Sequence, residues 1–363
     1  MRPEPKKKTE NKKRKETMNL RAYKTSITTL ALCLPLMWGC ERIFMDSDPD
    51  DFSRREIFDA VWKTVDEKYS FLELKGIDWD AAYQKYSQEV TEDMEGYYLC
   101  ETLSDMLYEL EDGHVNLSVG FNYSRYWKWY LDAPANFDYS VVERNYLRED
   151  YWASGGLKNS LLDGGKYGYI YYESFNASPS YIGLILDRFA QTDGIILDLR
   201  DNGGGALDNA EYLADFLADT RRLTYRMRYK NGPGHGDFTS YQDHYSSPKG
   251  PGYKKPIVVL TNRKCYSATS FFVTMVKEFP NVIVLGDSTG GGAGLPMDCV
   301  LPGGWTLRLS TSQGADARGV CFERGVDPDE RCTLDVNLSR NGIDSMIERA
   351  KDIIDAASAA QNP

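Results

Sequence analysis

The feature that most narrows what this chain can fold into is a set of short apolar segments that lack alternation. Gly194-Ile195-Ile196-Leu197-Asp198-Leu199, Ile257-Val258-Val259-Leu260 and Val282-Ile283-Val284-Leu285 are apolar at nearly every position. A strand with one wet face would alternate instead, so these read as strands covered on both sides. Tyr167-Gly168-Tyr169-Ile170-Tyr171-Tyr172 is a further strand, and residues 181–189, 206–217 and 268–279 carry helical spacing between the strands. Strands alternating with helices predict an α/β core with parallel strands over residues 166–360, closed by a helix at 341–359.

Ahead of this core the pattern is helical. Ser53 and Glu56 have the spacing of a capping box, and Ile57, Phe58, Val61, Trp62, Val65 and Tyr69 then recur at helical intervals. A second helix is expected from about Asp80. A third carries Leu99, Leu103, Met106, Leu107 and Leu110 on one stripe, with Gly113 as its natural stop, and a strand is expected at 115–119. Residues 53–120 thus predict an N-terminal helical subdomain. Residues 121–165, rich in Trp and Tyr, predict an irregular connection to the core.

Charge divides the chain differently. Residues 1–24 hold ten Lys/Arg against three Glu, residues 25–39 hold no charge, and 33 basic against 51 acidic residues remain beyond, a net of −18. So acidic a body disfavours nucleic-acid binding. The basic run followed by 15 uncharged residues is too short to span a membrane comfortably and suits a secretory leader, with Met18 as an alternative start. The leader ends Leu36-Met37-Trp38-Gly39-Cys40, and a small residue before Cys resembles the lipobox of bacterial lipoproteins. The expectation is a signal peptide over 1–39, lipidation at Cys40, an acidic tether over 40–52 and a place in the bacterial cell envelope. In an oxidising compartment, one disulfide among Cys299, Cys321 and Cys332 is plausible. With three His and no Cys-x-x-Cys spacing, neither a metal site nor a cofactor is expected.

Four places carry candidate chemistry. Asp198-Leu199-Arg200-Asp201-Asn202-Gly203-Gly204-Gly205 joins a buried strand to a helix, and its glycines leave backbone N–H groups free to hold an oxyanion. Asn262-Arg263-Lys264-Cys265-Tyr266-Ser267-Ala268-Thr269-Ser270 places a serine at a helix start, where it is either an ordinary N-cap or a nucleophile facing the positive helix end. His114 is a candidate base. His235 and His244 rank below it because they lie in a polar stretch that reads as a surface insertion. Glu323, in Cys321-Phe322-Glu323-Arg324-Gly325-Val326-Asp327-Pro328-Asp329, is either a surface carboxylate or a group that orients a base.

Together these places resemble the tail-specific and tricorn-like serine peptidases of family S41, over most of residues 50–350. The resemblance implies a ClpP/crotonase-like α/β core with an N-terminal helical part. It also implies Ser267 as nucleophile and Gly204, Gly205 and Ala268 around the oxyanion. One branch of the family uses a Ser–Lys dyad, but the position of that Lys falls on Gly292, and no Lys occurs between Lys277 and Lys351. The tricorn-like branch uses a His after a Leu-x-Asp-Gly-His type motif and a late Glu. Leu110-Glu111-Asp112-Gly113-His114 and Glu323 stand in those places, with a departure at Gly113, where tricorn carries Ser. The implied activity is hydrolysis of peptide bonds in a peptide or protein substrate, at a membrane reached through the lipid anchor. A catalytically inactive peptide-binding lipoprotein of the same fold is the alternative. A crotonase-type acyl-CoA enzyme shares the core but not the export signal.

Overall fold

The computed structural model describes residues 52–250 and 252–361. The expected leader, the lipidation site at Cys40 and the tether up to residue 51 lie outside the described residues.

Helix α1 (Arg54–Lys68) starts at Ser53, whose hydroxyl accepts from the Glu56 N–H while the Glu56 carboxylate accepts from the Ser53 N–H, the expected capping box. Its buried face is Ile57, Phe58, Val61 and Val65. A single turn, α2 (Leu72–Lys75), then α3 (Trp79–Tyr86) and α4 (Gly96–Tyr108) complete the helical part. Strands β1 (Asn116–Val119) and β2 (Asn122–Tyr123) follow, and then the short helices α5 (Lys128–Leu131) and α6 (Tyr139–Val142).

Strands β3 (Trp152–Ser154), β4 (Leu157–Leu162) and β5 (Tyr167–Tyr172) lead into α7 (Ile182–Arg188), β6 (Gly194–Asp198) and α8 (Leu207–Leu217). A hairpin, β7 (Leu223–Tyr229) and β8 (Gln242–Tyr245), precedes β9 (Ile257–Thr261), α9 (Ala268–Val276) and β10 (Val282–Gly286). Strands β11 (Pro296–Val300), β12 (Thr306–Ser310), β13 (Ser312–Asp316) and β14 (Glu330–Arg331) are followed by helices α10 (Val336–Arg340) and α11 (Ser345–Gln361).

The central sheet has seven strands in the order β14-β10-β9-β6-β5-β4-β3. From β5 to β14 the pairing is parallel, and β4 and β3 close one side antiparallel. Every residue of β6 and β9 is buried, as their unbroken apolar pattern predicts, and β10 is buried except for the half-buried Ile283; β5 is buried throughout as well. Register aligns Tyr171, Asp198, Leu260 and Leu285 across the sheet, so the turns that leave β6 and β9 emerge side by side. Ligand-bearing loops collect at the carboxyl ends of parallel strands for this reason.

Two smaller antiparallel sheets, β11-β12-β1-β2 and β13-β7-β8, bring distant segments to the same region. In the first, β1 of the helical part pairs with β12 of the core, Asn116 opposite Arg308. The stretch expected to be irregular at 121–165 is only partly so, because it contributes β3 and β4 to the central sheet. The polar stretch holding His235 and His244 likewise contains the β7–β8 hairpin. His244 stacks on Tyr225 and lies 3.7 Å from Glu211, while His235 bonds Asp66. Cys299, Cys321 and Cys332 are all free thiols, so the expected disulfide is not formed. Cys299 is a buried residue of β11, whereas Cys321 bridges Ala315 beside β13 and Cys332 follows β14.

Candidate active site

The turn after β9 shapes the first part of the site. Ser267 has φ 56° and ψ −122°, a backbone conformation that a residue with a side chain rarely adopts, costing ~1–3 kcal/mol. Surrounding bonds impose it. Tyr266 N–H donates to Asn202 O at 3.2 Å, Ser267 N–H to Gly291 O at 2.8 Å, and Gly290 N–H to Cys265 O at 2.6 Å. The sharp turn lifts the Ser267 side chain out half-exposed at the head of α9, whose nine residues are all buried.

The glycine-rich turn after β6 lies against it. Asn202 ties the two turns together: its amide donates to Tyr172 O at 2.9 Å, and its Oδ1 accepts from Gly204 N–H at 3.0 Å and from Thr269 Oγ1 at 2.8 Å. A Cβ on Gly204 would stand 2.9 Å from Ser267 Cβ and 3.0 Å from Ala268 N. Gly204 is therefore glycine for close approach as well as for its φ of 99°. Of the three backbone groups the resemblance points to, Ala268 N–H opens α9 and lacks an acceptor within the helix. Gly204 N–H is held by Asn202. Gly205 is turned against Phe175 and Asn176, where a Cβ would lie 2.3 Å from Asn176 N.

His114 comes from the other side, between α4 and β1. Its Nε2 is 3.0 Å from Ser267 Oγ, although 153 residues separate the two in sequence. The helix stop differs from expectation. Glu111 takes the left-handed conformation, φ 46°, and Gly113 has no positive φ. Glycine at 113 is demanded by packing, since a Cβ there would lie 2.8 Å from Trp129 Nε1 and 3.2 Å from the Tyr266 ring. Trp129 of α5 stacks on Tyr266 at 4.3 Å, and Tyr266 in turn faces the His114 ring at 4.8 Å. The aromatic segment thus packs over the site.

Glu323 is buried and does not meet the His114 ring. Its Oε1 pairs with Lys75 Nζ at 2.9 Å and its Oε2 accepts from Ala293 N–H at 2.8 Å. Lys75 also lies 3.7 Å from Asp112, whose carboxylate accepts from the His114 backbone N–H (2.7 Å), Tyr69 Oη (2.7 Å) and Tyr266 Oη (3.1 Å). Two buried carboxylates therefore share one ammonium beneath the histidine. Asp112 stands in the quoted Leu110–His114 motif and Tyr266 beside Ser267, so both were within sight of the sequence. Lys75 and Tyr69 carry no motif, and a single chain offers no signal that would find them.

These contacts set the charges. Burial pushes the His114 imidazole down to about 4, against a smaller upward pull from Asp112, so the ring is neutral at neutral pH. Burial pushes the Glu323 carboxyl up to about 7, with Lys75 pulling down and Asp112 pushing up. Burial also raises Asp112, but Lys75, His114 and the hydrogen bonds together hold it below the usual carboxylate range. Burial favours a neutral Lys75, yet Glu323 and Asp112 overcome it and keep the amine protonated.

The dyad lysine has no room. Gly292 has φ 77°, and a Cβ there would lie 2.6 Å from the Tyr266 ring. A neutral imidazole, a hydroxyl at hydrogen-bond distance and the Ala268 N–H at a helix start suit nucleophilic attack on a carbonyl with general-base help.

Comparison with known proteins agrees in fold and family. The model of peptidase family S41 matches residues 166–332, and the tricorn protease C1 domain matches residues 51–108. The carboxy-terminal processing protease CtpA of Bacillus subtilis (strain 168) is 27% identical over 142 residues, which is 39% of this chain and 29% of that protein. The chain thus spans less than a third of that relative's length. The crystal structure of a candidate peptidase from Parabacteroides merdae ATCC 43184 is 39% identical, with a TM-score of 0.80 over 84% of this chain and 97% of the other. Mature CPAF, solved with lactacystin, shares the fold at 12% identity and a TM-score of 0.61, over 83% of this chain and 97% of the other. With an α/β peptidase fold, a matching core and the tricorn-type module ahead of it, the chain belongs to peptidase family S41.

Proposed function

We propose that the chain is a serine peptidase in which Ser267 is the nucleophile and His114 the base. The observation that carries this reading is the 3.0 Å contact of Ser267 Oγ with His114 Nε2, made by a serine held in a strained turn at a helix start. Ser267 Oγ attacks the scissile carbonyl as its proton passes to His114 Nε2. The oxyanion is met by the N–H groups of Ala268 and Gly204, the latter turning from Asn202 Oδ1. Collapse breaks the C–N bond, His114 protonates the leaving amine, and water releases the acyl group from Ser267. Asp112, held below the usual carboxylate range, pulls the His114 ring toward its protonated form and so favours the imidazolium formed on the way. Lipidation at Cys40 would tether the enzyme to a membrane of the cell envelope.

The test is digestion of a peptide library read by mass spectrometry, with fluorophosphonate labelling of Ser267. Wild-type protein is expected to cleave and to be labelled. Ser267→Ala and His114→Ala are expected to lose several orders of magnitude in kcat/KM. Unchanged cleavage by Ser267→Ala overturns the assignment. Folded wild-type protein that binds peptides, does not cut and resists labelling points to the inactive peptide binder instead. Retention of a Cys40→Ala variant in the membrane fraction would argue against the anchor.

A further inference from the structure

A histidine base needs its second ring nitrogen held, because the tautomer decides whether Nε2 can accept a proton. Glu323, in the place where the resemblance puts the orienting group, spends both oxygens on Lys75 and Ala293. Asp112 meets the backbone of His114 and two tyrosine hydroxyls. The Nδ1 side of the ring faces another group, Ser310 Oγ, at 3.4 Å.

We propose that Ser310 is the positioning residue of the site: its hydroxyl accepts the Nδ1–H of His114 and thereby keeps Nε2 unprotonated toward Ser267. This deepens the reading of Ser267 and His114 as nucleophile and base, and rests on it. Three features of the fold build the contact. The β1–β12 ladder places Asn116 opposite Arg308, and continuing the same antiparallel register by two residues brings His114 opposite Ser310. Ser310 is fully buried at the end of β12, and its carbonyl accepts from Ser70 N–H at 3.0 Å and Ser70 Oγ at 2.9 Å, which fixes the backbone. Gly294 makes the room, because a Cβ there would stand 2.6 Å from Ser310 Oγ. A long contact in the free enzyme is expected to tighten when substrate excludes water.

The experiment is ring 15N chemical shifts of His114 in the full chain labelled at histidine, at pH 7, with Ser310→Ala and Ser310→Cys beside wild type. Cysteine keeps the volume with a weaker acceptor, so it separates hydrogen bonding from packing. Wild type is expected to show the Nδ1–H tautomer, and both variants a shift toward Nε2–H. Peptide cleavage is expected to fall by at least roughly tenfold in kcat, and by up to about 10⁴-fold if the wrong tautomer takes over completely, with KM changing less than about twofold. An unchanged tautomer in Ser310→Ala, or an unchanged kcat, overturns the proposal. If wild type cuts no peptide, the peptidase reading fails, while the tautomer shifts still decide the role of Ser310.

Discussion

Replacing Glu323 by Gln removes one of two opposed titrations buried under the site. Folded Glu323 titrates at about 7 against an ordinary 4.5, chiefly because it is buried. Between those values the folded state holds more of that proton than the unfolded state. The contribution is present below pH 4.5 and is lost as pH rises through 7. At about 1.4 kcal/mol per pH unit, the interval amounts to about 3 kcal/mol. His114 runs the other way. Its folded value is about 4 against an ordinary 6.5, so the unfolded state holds more of its proton and stability rises by about 3 kcal/mol as pH climbs from 4 to 6.5.

In the wild type the two slopes nearly cancel between pH 4.5 and 6.5. Glu323→Gln keeps the His114 rise and loses the Glu323 fall. Its unfolding free energy relative to wild type should therefore climb by about 3 kcal/mol from pH 4.5 to 7.5. Urea unfolding followed by tryptophan fluorescence at half-unit pH steps measures the difference, in which titrations common to both proteins drop out. A difference constant across that range would refute the reasoning, because it would mean that Lys75 fully offsets the burial of Glu323.

Gly113→Ser, which restores the residue that tricorn carries there, should cost about 1–3 kcal/mol by overpacking against Trp129 and Tyr266. Altered tryptophan emission should accompany a lower urea midpoint, and a variant as stable as wild type would exclude that packing role. Arg200→Met should be far more damaging. Arg200 is fully buried between Asp198 at 2.6 Å and Asp344 at 2.9 Å, so its loss strands two buried carboxylates and should cost at least about 3–5 kcal/mol. A drop under about 1 kcal/mol in denaturant unfolding would contradict this.

The parts of the molecule legible in the sequence are those fixed by local pattern. Unbroken apolar runs marked β6, β9 and β10, and the capping pair Ser53 and Glu56 marked the start of α1, because those signals lie within a few residues. Strands β7, β8 and β11 to β13 carry mixed polar sequences rather than unbroken apolar runs, so the same signal did not reveal them. At the site the same division holds. Ser267, His114 and the turn around Gly204 announce themselves by residue type at the ends of predicted elements. The partners of Glu323 do not, since whether a carboxylate meets a histidine or a lysine is settled by which strands pair. Lys75 is 248 positions away from Glu323 in sequence and Ser310 is 196 from His114.

Beside the φ of 77° at Gly292, one side chain bears on both chemistries implied by the family resemblance. Tyr266 precedes the candidate nucleophile, and its ring fills the space that a side chain at 292 would need. The same ring faces His114, stacks on Trp129 and sends its hydroxyl to Asp112. A lysine could enter at 292 only if the tyrosine left. Its departure would free Trp129, remove a hydrogen bond from the buried Asp112 and open one face of the histidine to water. An imidazole kept neutral by burial, with its titration held near 4, depends on that face being covered. The residue that crowds position 292 is thus also one that covers the histidine proposed as base, so no single substitution at 292 would exchange the two arrangements.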